Sequence, residues 1–230
     1  MKIGIIGAGY IGGTLARLWT RHGHEVRIAN SRGPDTLGDL ARETGARAVT
    51  TAEAVQGVEV IVITIPQKAV PALPRDLFAS VPGDVLVLDT NNYYPSRDGR
   101  LEGIEQAASE SVWVSEQIGR PVIKVFNSIG FQSLLEKGAP KGTPGRVALP
   151  VAGDDATAKG KALALVDELG FEPIDAGTLA DSWRQQPGTP VYVRDLDEPR
   201  TREALAGADH ARIADYRHAA DEAAKAYFGA

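Results

Sequence analysis

Gly7-Ala8-Gly9-Tyr10-Ile11-Gly12 follows the apolar run Ile3 to Ile6 and precedes a helical stretch. In such a strand-turn-helix unit the first glycine permits a tight turn, the second lets a pyrophosphate approach the backbone, and the third allows the helix to pack on the sheet. Amides exposed at the helix start, around Tyr10 and Ile11, then hold the phosphates. The next strand, His24 to Ile28, runs through Ala29 into Asn30-Ser31-Arg32. An NAD site usually ends this strand in Asp or Glu, whose carboxylate accepts from the ribose hydroxyls and repels a 2′-phosphate. Here that carboxylate is absent, Arg32 can pair with a phosphate through two charge-assisted bonds, and Ser31 can donate a third. The pattern predicts NADP(H), held by Gly7, Gly9, Tyr10, Ile11, Gly12, Asn30, Ser31 and Arg32.

A sheet must position these residues. Thr14 to Thr20 reads as a helix with Leu15, Leu18 and Trp19 on one face. Gly38 to Thr44 reads as a helix, Ala46 to Val49 as a strand and Thr51 to Ala54 as a helix. The continuous Val and Ile content of Val58 to Ile65 is that of a parallel strand covered on both faces. Gln67 to Ala79 is a broken helix and Asp84 to Asp89 a strand. The strand ends Thr64-Ile65-Pro66 and Asp89-Thr90-Asn91-Asn92 belong on the carboxyl edge of the sheet, where open α/β folds bind ligands. Thr64, Ile65, Pro66, Asn91 and Asn92 are therefore assigned to the nicotinamide end of the cofactor.

Further along, Val112 to Ile118 is a helix, Val122 to Phe126 a strand ending at Asn127, and Leu134-Leu135 part of a short helix. Ala139 to Gly145 is either a loop over a pocket or a plain surface connection. Val147 to Ala152 and Phe171 to Asp175 are strands flanking a helix that Asp154 caps and that runs to Leu169. The parallel sheet then reaches roughly eight strands. Thr178 to Arg184 is a short helix, and Thr201 to Phe228 is helical and alanine-rich. The expected fold is α/β: a Rossmann-type doubly wound, mostly parallel sheet over residues 1–145, with a small C-terminal α/β extension and helical tail over 146–230. The tail lacks a core of its own, so it packs on the sheet or on a second subunit, and a homodimer is expected.

The 230 residues carry a formal charge of -5 and no cysteine. No basic stripe suggests nucleic acid. No stretch approaches the length of a membrane span, and the N-terminus opens on strand sequence instead of a signal segment. The expectation is a cytoplasmic protein without membrane or nucleic-acid partners. His22, His24, His210 and His218 are scattered, so no metal site is expected.

Over most of residues 1 to 190 the chain resembles the F420-dependent NADP reductase family and the oxidoreductase domain of the STEAP metalloreductases. The marks are Gly7 to Gly12, Asn30-Ser31-Arg32, Thr64-Ile65-Pro66, Lys124-Val125-Phe126-Asn127, Val151 to Asp155, and Gly170 to Gly177 with Leu179 and Trp183. The resemblance implies a hydride passed between NADP(H) and a deazaflavin (F420) or a flavin (FMN or FAD) stacked on the nicotinamide. It places Ser31 and Arg32 on the 2′-phosphate, Pro66 and Asn92 beside the nicotinamide, and Asn127 to Gly130 near the second ring. Transfer between two rings needs positioning more than a protein nucleophile. Asn127 is the candidate catalytic residue, positioning the acceptor and donating to its ring, unless it is a buried Asn bonding backbone at a strand end. Tyr93 and Tyr94 could cover a ring or shuttle a proton, and Trp183 and Arg184 could reach the acceptor. Two other readings stay open: a dehydrogenase or imine reductase acting on a small carbonyl or imine, and a non-catalytic NADPH sensor.

Overall fold

In a computed structural model of the protein, which describes residues 1–228, the first apolar run forms the strand β1 (Lys2–Ile6). Residues 229 and 230, the end of the expected tail, lie outside the described residues. β1 pairs in parallel with β2 (Glu25–Ala29) on one side, Ile5 opposite Ile28. On the other side it pairs with β4 (Val60–Ile63), Ile5 opposite Val62. With β3 (Arg47–Ala48), β5 (Leu86–Asp89) and β6 (Ile123–Lys124) they make a six-stranded parallel sheet in the order β3-β2-β1-β4-β5-β6. This is the dinucleotide-binding order, whose topological switch point lies between β1 and β4. Along β4 the side chains alternate: Val60 and Val62 join the core around Trp19, while Ile61 and Ile63 join the opposite core around Trp113. Burial on both faces is why this strand has no polar positions.

α1 (Tyr10–Arg21) buries Leu15, Leu18 and Trp19 against one face, and α2 (Gly38–Thr44) ends where Gly45 takes φ +78°. α3 (Thr51–Ala54) opens with a capping box between Thr50 and Glu53. It sits so close to β1 that a Cβ on Gly4 would lie 1.7 Å from the Ala54 carbonyl oxygen. Beyond β5 come α4 (Pro95–Asp98), α5 (Glu102–Gln106) and α6 (Glu110–Ile118), and after β6 comes α7 (Phe131–Glu136).

The expected eight-stranded sheet is not formed. β7 (Ala148–Val151) and β8 (Glu172–Asp175) make their own two-stranded parallel sheet. They join the large sheet through an antiparallel bridge in which Lys124 and Ala152 exchange main-chain hydrogen bonds of 2.8 and 3.0 Å. β6 is only two residues long, too short an edge to extend in parallel. α8 (Ala156–Glu168), between β7 and β8, is capped by Asp155, which accepts from Ala158 N at 2.7 Å. Asp154 instead accepts from Leu179 N at 2.9 Å, tying the small sheet to the chain beyond it. The stretch from Gln67 yields only a 3-10 helix, Gln67–Ala72, because Pro71 and Pro74 remove the donors that an α-helix needs. Residues 141–145 are exposed, so this Gly/Pro-rich segment is a surface connection.

The tail is broken as well. α9 (Glu198–Ala206) stops at Gly207, a 3-10 turn covers His210–Arg212, and α10 (Ile213–Phe228) follows. α10 packs on α4, where the buried Asp221 carboxylate accepts from Ser96 N at 3.0 Å and Ser96 Oγ at 2.7 Å. Among the described residues no helix is long and apolar enough to cross a membrane.

Candidate functional site

The glycines after β1 divide their tasks as their spacing suggests. Gly7 takes φ +118°, and a Cβ there would lie 2.0 Å from the Thr64 carbonyl oxygen. A Cβ on Gly12 would lie 2.0 Å from the Gly7 carbonyl oxygen, so the close packing of α1 on the turn depends on this position. Gly9 is different: a Cβ there would meet nothing within 4 Å. Among the described residues the backbone at Gly9 has no neighbour on its Cβ side, and Gly9 puts no side-chain cap on the first-turn amides of α1. Uncapped amides at a helix start fit the diphosphate of a dinucleotide.

At the end of β2, Asn30 Oδ1 accepts from Arg32 N at 3.0 Å and Asn30 Nδ2 donates to Thr36 Oγ1 at 2.9 Å. Asn30 thus shapes the loop and leaves Ser31 and Arg32 exposed on it. Among the described residues the Arg32 guanidinium has no hydrogen bond or ion pair, so its charge is available to a ligand.

A cleft of about 790 Å³ opens at the carboxyl ends of β1, β4 and β5. Gly9, Tyr10, Ile11, Thr64, Ile65, Pro66, Asn91, Asn92 and Asn127 all line it. Gly7, Gly12, Asn30, Ser31 and Arg32 are not in its lining; the first two build the turn and the other three stand beyond it. Tyr10, exposed, stacks on Phe131 with ring centroids 4.5 Å apart, giving the cleft an aromatic rim. Other walls went unread in the sequence: Arg97, Tyr192, Val193 and Arg194, and four alanines of α10 between Ala219 and Ala224. Tyr192 sits in an irregular segment with no periodicity to mark it, and the alanines look like any small-residue helix face.

Beneath the cleft lies a buried polar layer. Lys124 and Asp89, both fully buried, pair at 3.2 Å, and Ser111 Oγ donates to the same carboxylate at 2.6 Å. Lys124 Nζ also donates to the Asn91 carbonyl, and Asn91 Oδ1 accepts from Ile65 N at 2.8 Å. Asn91 therefore ties the β4 and β5 ends together. Phe126, buried against Trp19, takes φ +59°, and this turn of the backbone aims Asn127 across to β5. Asn127 Nδ2 donates to Asn92 Oδ1 at 3.1 Å and to the Gln185 carbonyl at 2.7 Å, while Asn127 Oδ1 accepts from Gln185 Nε2 at 2.8 Å. Both amide protons of Asn127 are engaged within the protein, so its place at the cleft is that of a brace for Asn92.

The two adjacent tyrosines part company. Tyr93 is fully buried, its hydroxyl accepting from Leu101 N at 2.9 Å and donating to the Gly99 carbonyl at 3.1 Å. Tyr94 lines the cleft, where its hydroxyl hydrogen-bonds that of Tyr192, and the Arg97 guanidinium lies 5.3 Å from its ring centre. Burial holds both cleft hydroxyls above the ordinary tyrosine range. Glu110, buried at the start of α6, accepts from Tyr93 N at 3.0 Å. Burial pushes its carboxyl up to about 7, against the pull of Lys124 and Arg217. Trp183 and Arg184 are not in the cleft lining; Arg184 lies over the Trp183 ring, and His210 meets that ring edge-on.

Residues 2–93 match the family model described as NADP oxidoreductase, coenzyme F420-dependent. A stretch of 58 residues is 48% identical to the Escherichia coli (strain K12) protein YjhV, covering 25% of this chain and 42% of that relative, less than half its length. The crystal structure of the hypothetical protein SMa0349 from Sinorhizobium meliloti is similar at 30% identity and a TM-score of 0.72, over 86% of this chain and 96% of that one. A proposed F420-dependent NADP-reductase from Arthrobacter sp. FB24 shares the fold, with a TM-score of 0.65 at 23% identity over 80% of this chain and 87% of that one.

Proposed function

The chain belongs to the coenzyme F420-dependent NADP oxidoreductase family, and from that premise we propose that it passes a hydride between NADP(H) and a flat ring acceptor, either deazaflavin F420 or a flavin. The observation that carries this reading is the continuity of the bare Gly9 backbone with the 790 Å³ cleft. A dinucleotide held at the start of α1 would direct its nicotinamide toward Thr64-Ile65-Pro66 and Asn91-Asn92, with room beyond for a second ring. Bound NADPH supplies the hydride. The protein's part is to hold two rings in register and exclude water. Arg32 and Ser31 would take the 2′-phosphate, and the α1 amides the diphosphate. Pro66 and the braced Asn92 would set the face of the nicotinamide, with Asn127 acting through Asn92.

The reading is tested by following NADPH oxidation at 340 nm with F420, FMN or FAD in turn, beside a control without acceptor. Rapid oxidation with one ring supports it, and binding of NADPH without oxidation by any of them overturns it. One observation favours a second reading, reduction of a small carbonyl or imine: the tyrosine hydroxyl pair in the cleft could protonate such a substrate. A panel of aldehydes, ketones and cyclic imines in the same assay separates the two. A homodimer is proposed as well, to be tested by sedimentation velocity.

A further inference from the structure

We propose that Tyr192 is the proton donor that completes the reduction of the acceptor, with Tyr94 as the hydroxyl that supports it. The inference rests on the hydride-transfer reading of the same cleft and assigns it a residue that the reading does not need.

The geometry points to Tyr192 in three ways. Its side chain lines the same cleft as the residues assigned to the nicotinamide, and among the described residues its hydroxyl has the Tyr94 hydroxyl as hydrogen-bond partner. Either hydroxyl can be the donor of this bond, and in the arrangement in which Tyr94 donates, the proton of Tyr192 is left for a ligand. The backbone, too, is held in an uncommon shape just beyond it. Val193, a β-branched residue, takes φ +52°, and its N–H donates to the Ser128 carbonyl at 2.8 Å. That bond pins the Tyr192 segment to the loop that follows Asn127, so the hydroxyl pair and the Asn92–Asn127 brace are carried on one framework. Positive φ at such a residue is tolerated where the surroundings over-determine it, and such places cluster at ligand sites.

Charge around the pair suits the task. Arg97 on α4 lies beside Tyr94, Glu110 approaches from the start of α6, and Asp221 from α10. A tyrosine hydroxyl is protonated at neutral pH in any case, and burial holds both of these still further from ionising. An acid so weak gives up its proton only to a base created by the reaction. Hydride arrival on a conjugated ring creates one, because the electron pair builds negative charge on a ring heteroatom.

The step balances as follows. The nicotinamide C4–H bond breaks with its electron pair and a new bond to hydrogen forms on the acceptor ring. The Tyr192 O–H bond then breaks to protonate the ring heteroatom. NADPH is oxidised and the ring reduced by two electrons, and the Tyr192 oxygen, stabilised by the Tyr94 hydroxyl and the Arg97 charge, regains a proton from water.

The test uses the full chain with Tyr192→Phe and Tyr94→Phe. Four quantities are read: NADPH affinity by fluorescence titration, affinity for oxidised F420 and FMN in the presence of NADP, turnover with each ring, and the solvent deuterium isotope effect on turnover. Loss of a positioned general acid lowers turnover by about 10²-fold or more. The expected result for Tyr192→Phe is that fall, with NADPH affinity within twofold of wild type, several-fold weaker ring binding and loss of the solvent isotope effect. Tyr94→Phe should fall between the two and keep the isotope effect. A Tyr192→Phe enzyme that binds NADPH and turns over like wild type overturns the assignment while leaving the hydride reading intact. A wild type that binds NADPH and reduces neither ring overturns both. Should Tyr192→Phe not fold, Tyr94→Phe decides: unchanged turnover overturns the supported-donor arrangement.

Discussion

Asn127 and Gln185 clasp each other through two hydrogen bonds, one from Asn127 Nδ2 to the Gln185 main-chain oxygen at 2.7 Å and one from Gln185 Nε2 to Asn127 Oδ1 at 2.8 Å. Both residues are buried, and Asn127 Nδ2 also donates to Asn92 Oδ1. Removing the amide leaves three polar partners without it. Asn127→Ala is expected to lose about 1–3 kcal/mol of stability per group left unsatisfied, tempered by relaxation. The same variant should lower turnover while leaving NADPH affinity nearly intact, because Asn92 loses its brace and the glycine turn does not. Urea unfolding and NADPH titration on one preparation check both halves; unaltered stability would remove the brace.

Gly9 and Gly12 make a second pair of expectations with opposite signs. Gly9 has φ -80°, and among the described residues nothing stands within 4 Å of where its Cβ would be, so Gly9→Ala should leave thermal stability nearly unchanged. On the proposed placement the added methyl would instead crowd the diphosphate, and NADPH binding should weaken more than tenfold. Gly12→Ala puts a Cβ 2.0 Å from the Gly7 carbonyl oxygen, which α1 can relieve only by moving, so this variant should melt well below wild type. Thermal melts with and without NADPH distinguish the two; normal binding by Gly9→Ala would sink the proposed phosphate position.

Much of this site could be read from the chain because strand ends and glycine turns are local features. The run Ile3 to Ile6, the glycines after it and the β-branched stretch ending at Ile63 are dictated by period and burial, and they place Gly9, Thr64, Pro66 and Asn91 on one edge. The far wall is another matter. Tyr192 reaches the cleft through a backbone kink at Val193 and a bond to Ser128, some sixty residues earlier in the chain, and no local pattern encodes such a contact. The division between the two sheets was hidden for a similar reason: β7 has the composition of a core strand, and only the brevity of β6 prevents it from extending the large sheet. Asn127 stood where the sequence put it, at a strand end, but its commitments to Asn92 and Gln185 are tertiary.

Arg32 offers the direct test of cofactor choice. Its guanidinium is exposed and has no partner among the described residues, so its replacement should cost the fold almost nothing. A hydrogen bond to a charged group contributes about 1.5–3 kcal/mol, on the order of 10- to 100-fold in affinity. Arg32→Ala should weaken NADPH by that factor and NADH hardly at all. Equal losses for both cofactors in isothermal titration would remove the 2′-phosphate assignment, and raised salt should erode the wild-type preference in the same direction.

Glu110 gives the fold a pH dependence between its ordinary value and neutrality. Its carboxyl is buried, with no hydrogen-bond partner for Oε1 among the described residues, and burial raises it from an ordinary 4.5 to about 7. The folded state therefore holds this proton more tightly than the unfolded chain does. The sign follows from linkage: stability from the protonated group is fully present below pH 4.5, declines as pH rises through the window to about 7, and is gone above it. At about 1.4 kcal/mol per pH unit the full effect is on the order of 3 kcal/mol. Asp181 acts in a separate range, because Thr178 and Arg184 hold it down to about 2 and its contribution is lost only as pH falls below 3.8. Glu110→Gln cannot ionise, keeps an oxygen for the Tyr93 amide, and should flatten the decline between pH 5 and 7. Urea unfolding of both proteins at half-unit pH steps measures it, and parallel curves across that window would assign the slope to another group.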